Sequence, residues 1–118
     1  MQINITGKGV DLTDAIKNYV DKKIGRLEKF YDQIIRAVIT VGVENHHHQK
    51  GEIFFAEGKL EIPGNDIFVS ETAASLYGAI DALKNRLESD LKKHKVKLRE
   101  KAKIARKILR EKKEYQIQ

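Results

Sequence analysis

Residues 63–83 read PGNDIFVSETAASLYGAIDAL, and across them the chain changes its period. Pro63-Gly-Asn-Asp66 is the strongest turn signal present, because proline presets φ while glycine and asparagine accept the left-handed backbone of a tight turn. Ile67 to Ser70 then alternates as a short strand. From about Thr72 the apolar residues recur instead at Leu76, Ile80, Leu83, Leu87 and Leu91, three and four apart, which is one face of an α-helix.

Working back from the turn, Glu52 to Ile62 alternates with Phe54, Ala56, Gly58, Leu60 and Ile62 on one face. Ile35 to Glu44 does the same with Ile35, Ala37, Ile39, Val41 and Val43. The polar stretch Asn45-His-His-His-Gln-Lys-Gly51 between them reads as a hairpin loop. Further back, Ile16, Tyr19, Val20, Ile24, Leu27 and Phe30 mark an amphipathic helix of about 18 residues, with Thr13 or Asp11 as its N-cap. Gly7-Lys-Gly9 turns the chain out of a first strand, residues 2–7, whose Ile3 and Ile5 face inward.

The order is β-α-β-β-β-α. A helix between the first two strands is a crossover that makes them parallel, and short turns make the remaining neighbours antiparallel. The expected fold class is α+β, a two-layer sandwich of a four-stranded sheet with both helices on one face and the other face open to water. Forward of Leu91 the apolar stripe thins to His94, Leu98, Ala102 and Ala105, and neither proline nor glycine follows Gly78. An uninterrupted helix of some 40 residues would be about 60 Å long, more than a small domain can cover. Residues 1–99 are therefore expected to form the domain, and 100–118 a basic helical or frayed C-terminal extension.

Charge is distributed unevenly. Residues 80–118 hold fourteen Lys and Arg against six Asp and Glu, a net of +8 in a chain whose total is +6, so the first two-thirds lie near −2. A concentration of that sign attracts a polyanion, and nucleic acid is the commonest structured one. In the first helix Lys22, Arg26 and Lys29 form a strip beside the apolar face. Lys23 falls within that face, so its stem should pack at the edge with the ammonium extended into water. In the second helix Arg86, Lys93 and Lys97 share one flank, Lys84 and Lys95 the opposite one, and Lys92 and Arg99 the outer face. Ordinary solvated helix surface is the plainer explanation, since lysine suits exposed helix positions. For the second helix it is the weaker one, because Lys92-Lys-His-Lys95 crowds like charges that repel without a counter-ion. Neutralising half a dozen phosphates would make affinity fall by orders of magnitude over a modest rise in salt.

Other classes are poorly served. With no cysteine there is no disulfide, thiolate zinc site or cysteine nucleophile, which fits a reducing cytoplasmic setting. The first ten residues lack a basic leader and an apolar core, so no signal peptide is expected, and no apolar run suits a bilayer. His46, His47 and His48 are adjacent, which rarely lets side chains converge on one tetrahedral ion, so no metal is expected there. The aromatics Tyr19, Phe30, Tyr31, Phe54, Phe55 and Phe68 are mostly core candidates, with Phe55 open to base stacking on the outer face. No phosphate loop, nucleophile–base pair or spaced carboxylate pair is present, so neither an enzyme nor a cofactor is expected.

Five segments carry a family resemblance: Met1-Gln-Ile-Asn-Ile-Thr-Gly7, Leu12-Thr-Asp-Ala-Ile16, Arg26-Leu-Glu28, Leu76-Tyr-Gly-Ala-Ile-Asp-Ala-Leu83 and Leu91-Lys-Lys-His-Lys95. In them residues 1–99 resemble the bacterial short-form hibernation-promoting factors and the related ribosome-associated inhibitor A. The resemblance implies the β-α-β-β-β-α fold, similar to double-stranded-RNA-binding domains. It further implies binding to the small ribosomal subunit between head and body, over the decoding region where messenger RNA and the A- and P-site transfer RNAs lie. Translation would then be inhibited in stationary phase or stress, and some members promote ribosome dimers. By position, the contacts to ribosomal RNA that it implies fall on Lys23, Arg26, Arg86, Lys93 and Lys95. Charge geometry adds Lys22, Lys29, Lys84, Lys92, Lys97 and Arg99.

Two departures stand out. Ser89-Asp90 precedes Leu91 where the family tends to an arginine–glutamine pair, and the basic, helix-prone residues 100–118 are unlike the family's tails. The expectation is a non-catalytic, cytoplasmic ribosome hibernation factor, monomeric when free. Its partners would be the small subunit and its RNA, 70S ribosomes and ribosome dimers, with no membrane and no metal. The competing reading is a general duplex RNA or DNA binding module.

Overall fold

The structure is a computed structural model that describes residues 1–44 and 51–117, with side chains through 112 in the last helix. The histidine run His46–His48 lies outside the described residues. Four strands, β1 (Gln2–Lys8), β2 (Arg36–Val43), β3 (Phe54–Ile62) and β4 (Asn65–Ala73), join in the order β1-β2-β3-β4. β1 and β2 pair in parallel, and the other neighbours are antiparallel. Helix α1 (Asp14–Gly25) makes the crossover and runs into a 3-10 turn, Arg26–Lys29; α2 spans Leu76–Ile117. This is the expected α+β sandwich.

Local chemistry places the boundaries. Thr13, in extended conformation, accepts from the amide of Ile16 at 3.2 Å and so caps α1. Ser75 does the same for α2, its Oγ accepting from the amide of Gly78 at 3.0 Å. Between β3 and β4, Ile62 pairs with Asn65, leaving Pro63 and Gly64 as the two turn residues. Gly64 has φ +82°, which with proline before it is the type II signature.

The core is a single cluster. Val20, Ile24 and Leu27 from the α1 side, Ala37, Ile39, Val41, Ala56 and Leu60 from the sheet, and Ala79, Ile80, Leu83, Leu87 and Leu91 from α2 are all fully buried. Gly58 belongs to this contact. A Cβ there would meet Leu83 and Leu87 methyls at 3.0 and 3.1 Å, so the missing side chain lets α2 settle on β3. The two helices also meet through polar and aromatic groups. The Tyr19 hydroxyl donates to Asp81, and the rings of Tyr19 and Tyr77 pack edge to face at 4.9 Å.

Four local expectations are corrected. The first helix is 12 residues of α-helix followed by four of 3-10 rather than one long helix, since Gly25 weakens the α-helix where the chain must bend toward β2. β4 is nine residues long, not four, because full pairing with β3 recruits polar residues that no alternation marks. Ile35 is 61% exposed: its amide still donates to the Glu61 carbonyl, but it stands just before the start of β2, at the end of the buried row. Phe68, counted as a core candidate, is 65% exposed on the open side of β4, opposite Lys59.

Candidate nucleic-acid interface

The open face of the sheet satisfies its own charges. Arg36 and Glu61 form a two-pronged pair, with nitrogen–oxygen distances of 3.0 and 2.7 Å. Lys59 lies 3.7 Å from Glu61 and 3.6 Å from Asp66. Hydrogen bonding to Arg36 holds the Glu61 carboxyl below its ordinary pKa, and the same pair raises Arg36. Little field is left there for a polyanion.

The helical layer differs. Of the eleven cations named from sequence, four have carboxylate partners: Lys23 with Asp81 (3.5 Å), Lys84 with Glu88 (3.2 Å), Arg86 with Glu71 and Asp90 (both 3.7 Å), and Lys92 with Glu88 (3.7 Å). Among the described residues the other seven, Lys22, Arg26, Lys29, Lys93, Lys95, Lys97 and Arg99, make no ion pair. All of these but the half-buried Lys95 are exposed. Lys22 lies in the last turn of the α-helix, while Arg26 and Lys29 sit three apart in the 3-10 turn, where residues at that spacing eclipse one another.

Lys23 departs from expectation. Its ammonium turns back to Asp81 and lies 5.5 Å from the centre of the Tyr19 ring instead of extending into water. Asp81, inside the Tyr77–Asp81 segment, thus ties the two helices together. The hydrogen bond to its carboxylate, and after that burial of the hydroxyl, raise the Tyr19 pKa.

The cations of α2 divide between two flanks. Asp81 faces α1, and Lys84, Glu88, Lys92 and Lys95 follow it at helical steps of three and four, so this flank lies toward α1. Lys92 also caps the ring of Phe30 at 5.0 Å. On the other flank Arg86, Asp90, Lys93 and Lys97 look toward β4. There Lys93, His94 and Lys97 join Asn65, Asp66, Ile67, Phe68 and Asp90 around a shallow groove of about 310 Å³. His94 packs edge to face on Tyr31 at 5.5 Å, and its Nε2 is buried without a hydrogen-bond partner. The groove was not foreseen from sequence. Its two halves are about 25 positions apart, and only the pairing register brings Phe68 outward beside Lys93. Asp90, the residue that departs from the family pattern, spends its charge on Arg86.

The sequence profile described as Sigma 54 modulation protein / S30EA ribosomal protein matches residues 3–99. The chain belongs to this family. It is 35% identical over 97 residues to the ribosome hibernation promoting factor of Pseudomonas putida, covering 82% of this chain and 89% of that one. It is 34% identical over 100 residues to the factor of the same name from Escherichia coli K12, covering 85% and 99%. The S30EA fold is equally evident in solved structures. The Thermus thermophilus Protein Y N-terminal domain superposes with TM-score 0.70 at 33% identity, covering 80% of this chain and 99% of that one. A ribosomal subunit interface protein from Coxiella burnetii gives TM-score 0.72 at 26% identity, covering 81% and 99%. The S30EA match ends at 99, so most of the projecting part of α2 lies beyond it.

Proposed function

We propose that this S30EA-family chain is a ribosome hibernation factor that acts without catalysis. It binds the small ribosomal subunit over the decoding region and excludes messenger RNA and A- and P-site transfer RNA. Ribosome binding places it in the cytoplasm, and among the described residues no helix is long and apolar enough to cross a membrane.

The observation that carries this reading is the set of seven helix cations that have no carboxylate partner among the described residues, while the sheet face neutralises itself. Desolvating a lysine that already has a carboxylate gains little, whereas an unpaired one gains a phosphate and releases counter-ions. Lys22, Arg26, Lys29, Lys93, Lys95, Lys97 and Arg99 are the principal RNA contacts in this reading. Lys23, Lys84, Arg86 and Lys92 are held in reserve by their acids and contribute the surrounding field. Because these groups lie on helix surfaces, they meet phosphates and the shape of folded RNA rather than base edges.

Co-sedimentation with small subunits in rising salt tests the proposal. Binding at low salt should fall steeply as salt rises. Lys93→Glu with Lys95→Glu should abolish it and leave the melting temperature within a few degrees, because neither ammonium has a structural partner among the described residues. Absence of binding at low salt ends the reading, and equal affinity for a free RNA duplex replaces it with a general duplex-binding module. Ribosome pairing is read from the same gradients as a dimer peak.

A further inference from the structure

Beyond His94 the apolar stripe of the helix loses its cover, yet its charge is ordered. Lys95, Arg99, Lys103, Arg106 and Arg110 follow one another at steps of four, four, three and four, which puts all five on one side of α2. With a rise of 1.5 Å per residue the line runs for about 22 Å. It prolongs the flank that begins at Asp81 and faces α1, so it starts within the interface described above. On that flank no acid follows Glu88 until position 114, four residues past Arg110. Glu100 and Glu111 each follow a stripe arginine directly and therefore point about 100° away from it. Among the described residues none of the five forms an ion pair, and four of them are exposed.

We infer that this stripe is a second RNA-binding element, an arm that carries the phosphate contact past the end of the S30EA domain along one side of a rigid helix. The inference rests on the ribosome-binding reading and adds to it the contact made by the extension. Like charges at i, i+3 and i, i+4 weaken a helix that has no partner, so a surface serving only the fold would not repeat them. The rest of the helix surface argues against the other occupants of a basic amphipathic helix. About a quarter turn from the basic stripe, continuing the apolar stripe of α2, Leu98, Ala102, Ala105 and Leu109 follow at steps of four, three and four; the exposed Ile104 and Ile108 lie further round, and Lys101 and Lys112 fall between these two rows. A bilayer would have to take up those lysines; a helix seated on the row from Leu98 to Leu109 would find alanine at its middle positions, and Lys101 interrupts any seam that reaches round to Ile104 and Ile108.

Two full-length variants of equal charge separate the possibilities: Arg106→Gln with Arg110→Gln on the stripe, and Lys101→Gln with Lys112→Gln on the opposite arc. The dependence of log affinity on log salt is measured on small ribosomal subunits and on a short RNA duplex. The stripe pair should lower the slope by about 1.5, the value of two phosphate contacts, and the opposite pair should leave it nearly unchanged. Equal slopes for the two variants overturn the inference. So does a loss by the stripe pair that appears on vesicles containing phosphatidylserine and not on RNA. If the unchanged chain fails to bind subunits at all, the functional reading falls, and the duplex measurement still decides the arm.

Discussion

The two halves of α2 share one helix and one periodicity, and they do opposite things. From Leu76 to Leu91 the stripe lies on the sheet, with Ala79, Ile80, Leu83, Leu87 and Leu91 fully buried. Past His94, which still packs on Tyr31, the corresponding positions have no layer beneath them, and Leu98 and Leu109 are 43% and 62% exposed. The projecting half stretches the molecule to 73 × 29 × 16 Å. An apolar residue at helical spacing thus stabilises the fold only as far as the strands reach. Past that point the surface of the helix is dominated by basic residues.

The sharpest test of this difference is a matched pair of truncations. Leu87→Ala should cost about 2–5 kcal/mol in urea unfolding, since it opens a cavity against Gly58 and β3. Leu109→Ala should stay within about 0.5 kcal/mol, as an exposed substitution does. Equal losses would mean that the distal half is packed against something. Within the proximal half, the Tyr19–Asp81 link sets how firmly α1 holds α2. Tyr19→Phe should cost about 1 kcal/mol. Because the folded state raises the Tyr19 pKa, that contribution is full below about 10 and is lost as pH rises through the raised value. Thermal melts across that range should converge for the two proteins at high pH.

The smallest effect belongs to the sheet's open face. Glu61 has a lowered pKa, so the stability it contributes is present above the ordinary carboxylate range, about 4.3, and is lost as pH falls through the lowered value. Glu61→Gln should flatten that part of the acid limb in pH-dependent unfolding. An unchanged limb would show that Arg36 gains nothing from its partner in solution.

Much of this was legible in the chain. The switch from period two to period 3.6 near residue 72, the Pro63-Gly64 turn and the long unbroken run after Gly78 together specify the sandwich and its projecting helix. The concentration of Lys and Arg pointed to the helical layer, and Glu88 within four residues of both Lys84 and Lys92 could have been read as their partner. Other features could not be read. Nothing local says that Asp81 would turn Lys23 back, that Glu71 on β4 would share Arg86 with Asp90, or that Phe68 would face water beside Lys93.

By itself the sequence determined the elements, their order and the sign of the helical surface, because periodicity, capping and charge act between residues a few positions apart. Only the tertiary structure decided which cations keep their charge available and where α2 runs out of sheet. Those outcomes depend on carboxylates and strands brought close by pairing registers between distant segments, and electrostatic and packing energies depend on distance in space rather than along the chain.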